Sequence, residues 1–140
     1  MIAADPHAGA AGLAQLAETL LREEKLDEAY RAMLDCLAVD PYNYQAHRDL
    51  GELLARQKKW AEARRHLEFV MQYFPDEDSG VYPLLYHADQ ALGDPRAAAK
   101  AARFGLRLFP GDSELRRLNL PLSRTGFSLL GLFRAGNQTK

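Results

Sequence analysis

The side chains best suited to acid–base, metal or nucleophile chemistry in this chain of 140 residues are four histidines and one cysteine. The histidines are His7, His47, His66 and His87. No two of them have the i, i+4 spacing of a helical zinc site, and Cys36 has no second cysteine to join it. We therefore predict structural or solvent-facing histidines, a compact buried thiol, no metal or cofactor site, and no catalytic residue.

Two kinds of charged segment could bind ions. The acidic segment PDEDSG at 75–80 is too short for a calcium loop and lacks its ligand pattern, so we interpret it as a solvated turn. The basic runs at 56–59 and 64–65 are typical of a hydrated helix face, and the chain has no glycine-rich phosphate motif. An enzyme active site would therefore have to lie outside this chain.

Composition narrows the class of partner. Eighteen Lys and Arg against 19 Asp and Glu leave a net charge of −1, which argues against a nucleic-acid partner. The longest apolar run, at 127–133, is far shorter than the roughly 18 residues that span a bilayer, so we expect no membrane insertion. The N-terminus does not resemble a signal peptide, and a single cysteine forms no internal disulfide, which favours a cytoplasmic location.

The elements that would position these side chains follow a repeat. Apolar residues run into a proline, with Asp or Asn close behind, at 37–43, 71–77 and 106–112. The prolines are 34 and 35 residues apart, and an alanine lies twelve residues before each. These marker residues are Pro41, Pro75 and Pro110, with Ala29, Ala63 and Ala98. A period near 34 indicates stacked units of one supersecondary structure.

Each period contains two helical patterns. Leu13, Leu16, Ala17 and Leu20 have the i, i+3, i+4, i+7 spacing of one helix face. Val and Ile are rare, and no stretch alternates as a strand would. The sequence therefore predicts an all-α protein built from helix–turn–helix units.

On these features the chain resembles the tetratricopeptide repeat family, whose pattern is W-x2-L-G-x2-Y…A-x3-F…P over 34 residues. The resemblance implies three repeats in a right-handed superhelix of antiparallel helix pairs, at 10–43, 44–77 and 79–112. Small residues at the helix crossings would be Ala17, Gly51 and the three marker alanines. We expect 1–9 to end a preceding repeat or form a linker, 113–121 to be a capping helix, and 122–140 an amphipathic tail.

Repeat three departs from the family pattern. Tyr86 stands where Gly or Ala is usual, and Ala102 replaces a bulky residue. One interpretation is a large-for-small exchange, with Tyr86 packed against 98–105. The other is a rotated first helix, whose buried stripe would be Val81, Leu84, Leu85, Ala88 and Leu92. Both remain open at this point.

The resemblance implies a concave groove, lined by the first helix of each unit, that receives a peptide or a partner helix. The matching positions are Gln45, Arg48, Glu52, Arg56, His87, Gln90 and Arg117. A family branch grips a C-terminal carboxylate with basic and amide residues, but here those positions hold Ala14, Glu18, Asp49, Gly80 and Leu84. That binding mode is disfavoured. The arginines could pair with acidic groups of a ligand or bridge carboxylates of their own chain.

We therefore predict a non-catalytic interaction scaffold that binds another protein or peptide. The alternative is a regulatory or oligomerisation segment of a larger enzyme or transcriptional regulator, from which the chain would have been cut. A further hypothesis is self-association through the apolar part of the tail at 123–134.

Overall fold

A computed structural model describes the backbone of residues 6–119 and the side chains from residue 9 onward. Within that range the chain forms seven α-helices and no strand. The helices are α1 (Pro6–Arg22), α2 (Leu26–Val39), α3 (Tyr44–Arg56), α4 (Trp60–Tyr73), α5 (Val81–Ala91), α6 (Pro95–Leu108) and α7 (Ser113–Leu118). The all-α prediction is thereby confirmed.

Each helix pair is closed by the same tight turn, which has one residue in the left-handed region of backbone conformation. These residues are Glu24 (φ 63°), Lys58 (φ 61°) and Gly93 (φ 78°). The following N–H donates to a carbonyl five residues back, as from Lys59 to Leu54 at 2.8 Å. This bond satisfies a carbonyl that the helix end would otherwise leave unpaired. The turns are 34 and 35 residues apart, which confirms the repeat period.

A second kind of turn separates one helix pair from the next. Each marker proline lies in such a turn, two residues beyond the end of α2, α4 or α6, because proline cannot continue a helix. A polar side chain then begins two of the following helices. Asn43 Oδ1 accepts from the N–H of Ala46 at 2.9 Å, and Asp112 caps α7 in the same way. Asp94 caps α6, with Pro95 at its start, as the sequence predicts.

The helices form two layers that differ in spacing. The first helices contact one another in order, α1 with α3, α3 with α5 and α5 with α7. Within the described residues, no close backbone contact joins α2 to α4 or α4 to α6. Since the first helices are closer together than the second helices, the array curves with α1, α3 and α5 on its inner side.

Gly51 explains why small residues recur where paired helices cross. A Cβ atom built on Gly51 would lie 2.5 Å from Cγ of Leu67 on α4, well inside van der Waals contact. The alanines at the other predicted small positions are all fully buried: Ala17, Ala29, Ala63 and Ala98. Larger side chains there would force the helices apart, because a close-packed interior has no spare volume.

Repeat three keeps the buried face of repeat two. Its buried residues follow those of α3 at an offset of 35: Val81, Leu85 and Ala88 match Ala46, Leu50 and Leu53. Leu92, which a rotated helix would bury, is 38% exposed. Val81, Leu85 and Ala88 also belong to the stripe predicted for a rotated helix, so the two interpretations share most of the buried face of α5. Leu92 is the member of that stripe that is exposed, and Tyr82 and Asp89, which lie outside the stripe, are buried.

A large-for-small exchange occurs one helical turn earlier in α5 than the sequence suggests. A Cβ atom on Gly105 would lie 2.5 Å from Cγ of Tyr82, so the absent side chain makes room for that ring. Tyr86, for which we predict packing against 98–105, is half-buried and lines a cavity of about 370 Å³ with Ala102. The Tyr86 ring therefore fills only part of the space beside α6.

The two ends of the described region complete the array. Residues 6–9 form the start of α1, where the sequence suggests a linker or the end of a repeat. Leu115 of α7 is fully buried, and Asn119 Nδ2 donates to the carbonyl of Ala102 at 3.0 Å, so α7 packs on the last pair. Residues 120–121 of the predicted capping helix and the tail at 122–140 lie outside the described residues. None of the described helices is long and apolar enough to cross a membrane.

Candidate functional site

The residues predicted to line a groove lie on three of the first helices. Those on α3 are Gln45, Arg48, Glu52 and Arg56, those on α5 are His87 and Gln90, and Arg117 is on α7. The α3 side chains come together in one polar cluster with residues of α1 and of the turn before α5. The inner face of the array therefore carries its polar contacts mainly around α3.

Arg48 is the centre of this cluster. Its Nε donates to Asp78 Oδ2 at 2.6 Å, and its Nη1 donates to Glu52 Oε1 at 2.7 Å and to Asp49 Oδ1 at 3.1 Å. Burial lowers the pKa of Arg48, but the three carboxylates raise it by more, so the net shift is upward. Hydrogen bonds between charged groups are stronger than neutral ones. Arg48 therefore fastens α3 to the turn before α5.

Arg56 extends the cluster to the turn after α1. Its Nη2 donates to Glu52 Oε2 at 2.7 Å, and its Nη1 donates to Glu24 Oε2 at 3.0 Å. Glu52 thus bridges Arg48 and Arg56. Both arginines bridge carboxylates of their own chain, which is one of the two roles that the sequence leaves open for them.

Asp49 is the buried member of the cluster, with 1% of its surface exposed. Within the described residues its Oδ2 has no hydrogen-bond partner, although its Oδ1 accepts from Arg48. Burial raises the pKa of Asp49 to about 6; Arg48 opposes this shift, while Glu52 and Glu18 add to it. A buried carboxylate oxygen without a donor is costly, so Asp49 weakens the fold in its ionised form.

A cavity of about 330 Å³ opens beside Asp49, between α1 and α3 on the inner face. We call it the acidic recess, because Glu18, Asp49 and Asp78 line it. Gln45 Nε2 donates to Glu18 Oε1 at 3.1 Å and so fixes the carboxylate on the α1 side. A smaller cavity of about 200 Å³ adjoins it and shares Glu18 and Asp49. The recess is therefore a polar cavity on the inner face, between α1, α3 and the turn before α5.

The remaining predicted residues are not joined to the acidic recess. Gln90 Nε2 donates to Tyr86 Oη at 3.0 Å, and the rings of Tyr86 and His87 meet edge to face at 5.4 Å between centroids. Arg117 pairs with Glu114 on its own helix at 3.5 Å, with both side chains exposed. The inner face thus has a charged part at α3 and an aromatic, uncharged part at α5.

Asp78 is the member of this polar cluster that the sequence reasoning missed. The sequence predicts a solvated turn for its segment, but Asp78 is half-buried, accepts a hydrogen bond from Arg48, and accepts another from the N–H of Gly80 at 2.8 Å. The Asp-x-Gly pattern does signal a turn. Its partner is 30 residues away, however, and only the stacking of one repeat on the next brings them together.

Two histidines contact each other outside the inner face. His47 Nδ1 lies 3.0 Å from His66 Nδ1, and His47 Nε2 lies 2.8 Å from the carbonyl oxygen of Pro41. Burial lowers the pKa of both rings, that of His66 to about 4. The carbonyl requires a proton on His47 Nε2, so in the neutral pair His47 Nδ1 accepts from His66. These rings are engaged with each other and the backbone.

The cysteine is likewise engaged. Cys36 is buried, and its Sγ donates to the carbonyl of Ala10 at 3.2 Å. Burial raises the pKa of the thiol, with further raising by Asp40 and Asp49, so it stays protonated and weakly reactive. In the described part of the chain, no group of three His, Cys, Asp or Glu side chains is placed to hold a metal ion.

Comparison with known proteins agrees with this geometry. Residues 20–85 match the family model for the tetratricopeptide repeat. No curated protein matches the sequence.

Three solved structures illustrate the likeness in fold. The first repeat domain of Spaghetti (RPAP3), bound to the HSP90 peptide SRMEEVD, is 22% identical, with 83% of this chain and 91% of that chain covered and a TM-score of 0.73. The second domain of human RPAP3, in complex with the HSP70 peptide SGPTIEEVD, is 18% identical, with 82% and 95% covered and a TM-score of 0.73. An O-GlcNAc transferase mutant of Thermobaculum terrenum is 19% identical, with 84% and 22% covered and a TM-score of 0.75.

The family match, the spacing of the left-handed turns and the stacked helix pairs all describe one architecture. The chain is therefore similar to the tetratricopeptide repeat family, whose model matches residues 20–85.

Proposed function

We propose that the chain is an interaction module that binds an extended peptide or a partner helix along the inner face of α1, α3 and α5. Proteins of this family are generally protein–protein interaction modules, and two of the similar structures hold peptides. The observation that supports the proposal most is the acidic recess, a cavity of about 330 Å³ on that face. Its side chains are already held by one another, which reduces the entropy lost on binding.

The predicted groove residues have different parts in this proposal. Arg48, Glu52 and Arg56 hold the recess in shape through their ion pairs, and Gln45 orients Glu18. His87 and Gln90 are exposed on α5, and Arg117 is exposed on α7. A ligand longer than the recess would meet these three residues along the same face.

The ligand should differ from those of the two similar structures that hold peptides. Both of those peptides end in EEVD, so each carries acidic side chains next to its end. In this chain such a peptide would face the carboxylates of Glu18, Asp49 and Asp78. Like charges at close range repel, so we expect another kind of peptide here. We assign no catalytic activity to the chain.

Selection from a phage-displayed library of random dodecapeptides tests this function. Peptides that bind should shift the backbone NMR signals of α1, α3 and α5 in a ¹⁵N-labelled sample, and should leave the outer helices α2, α4 and α6 largely unchanged. Shifts confined to the outer helices would show that the binding surface lies elsewhere. Failure to select any peptide would contradict peptide binding.

A second candidate function is a regulatory or oligomerisation segment of a larger enzyme or transcriptional regulator. One comparison favours it, since the matched region is 22% of the O-GlcNAc transferase chain. Analytical ultracentrifugation over a range of concentrations, with and without residues 123–134, tests the oligomerisation part. A monomer at every concentration in both samples would end it.

A further inference from the structure

The acidic recess has an excess of negative charge. Three carboxylates line it, those of Glu18, Asp49 and Asp78, and among the described residues that line it Arg48 is the one cation. Glu52, directly beside Arg48, is a fourth carboxylate in the surroundings, but Arg56 also pairs with it, so it adds little to this excess. Low-dielectric walls lined by one sign of charge concentrate counter-ions of the other sign. The recess therefore favours a cationic group and disfavours an anionic one.

The guanidinium of Arg48 does not remove this excess. Its charge is divided among three carboxylates, with the shortest bond going to Asp78 at 2.6 Å. Glu18, on the opposite wall, is bonded to the uncharged amide of Gln45 at 3.1 Å, and Arg22 reaches it at 3.8 Å from an exposed position. An exposed pair of this kind is screened by solvent and contributes little.

Asp49 provides independent evidence for a ligand. Its side chain is buried and lines both the acidic recess and the smaller adjoining cavity, yet its Oδ2 has no donor within the described residues. Buried polar atoms in native proteins nearly always have a partner, and each exception calls for an explanation. A donor from a bound molecule would complete the hydrogen bonds of this carboxylate.

We propose that the acidic recess receives a lysine or arginine side chain of the bound peptide, a step that rests on the proposed function of the inner face. The ammonium or guanidinium N–H groups would donate to Asp49 Oδ2 and to Glu18. Both of these side chains line the same cavity, so one cationic group can reach them together.

The size and the ligand set of the recess agree with an organic cation. Its volume of about 330 Å³ is the space of roughly ten water molecules in the liquid, enough for the end of one long side chain. In the described region no three carboxylate, imidazole or thiolate groups are placed to hold a metal ion. The recess therefore suits a cation that brings its own hydrogen-bond donors.

The phage-displayed dodecapeptide library tests this inference through the sequences that it yields. Peptides that shift the NMR signals of α1 and α3 should be enriched in Lys or Arg at one position. Replacing that residue by norleucine should weaken binding at least about tenfold, the effect of losing a charged hydrogen bond. Binding should also weaken as salt is added, because salt screens charge pairs.

Variants of the chain then locate the cation. Affinities of the selected peptides, measured by fluorescence polarisation, should fall about tenfold in Asp49→Asn. Glu18→Gln, at a partly exposed position, should reduce them in the same direction. The control is Asp35→Asn, which removes the same charge from an exposed position on α2 and should leave the affinity within about twofold. Thermal unfolding of each variant confirms that the fold is kept.

Each outcome has a definite meaning. Basic peptides whose affinity depends on Asp49 and not on Asp35 would support the cationic pocket. Acidic or uncharged peptides that bind the inner face equally well in Asp49→Asn would overturn it and leave the proposed function standing. Peptides that bind only the outer helices, or no peptide at all, would overturn both.

Discussion

Gly51 on α3 and Leu67 on α4 are closer than a side chain at position 51 would permit. A Cβ atom there would lie 2.5 Å from both Cγ and Cδ2 of Leu67. The separation of the two helices in repeat two is therefore set by the absence of a single methyl group. Gly105 and Tyr82 are equally close in repeat three, where a Cβ atom on Gly105 would lie 2.5 Å from Cγ of Tyr82.

Gly51→Ala should lower the free energy of unfolding by about 1–3 kcal/mol, because the core must shift to admit the methyl group. The matched control is Gly12→Ala on the exposed face of α1, where a Cβ atom would meet nothing within 4 Å. There alanine should raise stability by up to about 1 kcal/mol through helix propensity. Urea unfolding of both variants measures the difference, and equal effects would contradict the close contact.

Lys58→Gly should stabilise the chain by about 1 kcal/mol, because Lys58 holds a left-handed backbone with φ 61° that glycine adopts without steric cost. The neighbouring Lys59 has φ −89°, so Lys59→Gly should instead destabilise through the added freedom of the unfolded chain. Opposite signs in thermal unfolding are expected. A loss of stability in both variants would count against the turn described here.

Arg48→Ala should lower the free energy of unfolding by about 2 kcal/mol, since it leaves the buried carboxylate of Asp49 without its donor. Arg117→Ala removes an exposed pair with Glu114 and should change stability by less than about 0.5 kcal/mol. Denaturant unfolding under one buffer compares the two. An Arg48 variant as stable as the Arg117 variant would show that the cluster does not support the fold.

Asp49→Asn should stabilise the chain by about 2 kcal/mol at neutral pH. The pKa of Asp49 is about 6 in the folded protein against 3.8 for the unperturbed group, so the folded state binds the proton more tightly. The protonated carboxyl of Asp49 contributes its full stability to the fold below pH 3.8, and this contribution is lost as the carboxyl ionises and the pH rises through 6. Glu18 on α1, Arg48 and Glu52 on α3, and Asp78 in the turn face this group and are unchanged in the variant.

Stability curves of wild type and Asp49→Asn should therefore converge as the pH falls toward 4 and be fully separated above 6. A constant difference over that range would contradict the raised pKa of Asp49.

His66 should act in the opposite direction over the same range of pH. Its pKa is lowered to about 4 from 6.5, so the folded state binds the proton less tightly than the unfolded chain. The stability that this group contributes is present above pH 6.5 and is lost as the pH falls through 4. The wild-type protein should lose stability as the pH falls from 6.5 to 4, and His66→Phe should lose about 1–3 kcal/mol less over the same range. Thermal melts from pH 4 to 7 measure it, and an unaltered slope would disprove the assignment.

Much of the architecture follows from the sequence because its signals are local. The prolines at 41, 75 and 110 prevent the preceding helices from continuing. The side chains of Asn43, Asp94 and Asp112 begin the next helices by accepting hydrogen bonds from N–H groups in the first turn. The period of 34 or 35 then dictates that equivalent helices stack. These features could be predicted from the sequence without knowledge of any contact between repeats.

Less of the candidate site could be predicted from the sequence. Sequence position places Gln45, Arg48, Glu52 and Arg56 on one helix, and the structure brings them into one cluster. The same reasoning groups them with His87, Gln90 and Arg117, which the structure leaves apart. Position within a repeat specifies a helix face, but the partner of a long side chain depends on which charges the neighbouring repeat presents.

The sequence by itself determined the helices, their order, the turns and the repeat, because each depends on residues a few positions apart. The tertiary structure alone decided that Tyr82 fills the space above Gly105, that Asp78 pairs with Arg48, and that Asp49 is buried with one oxygen unpartnered. The physical reason is that local signals act between residues close together in the sequence, whereas packing and ion pairing act between residues brought close only by the fold. Packing and ion pairing change over distances of an ångström or less, and those distances exist only after the repeats have stacked.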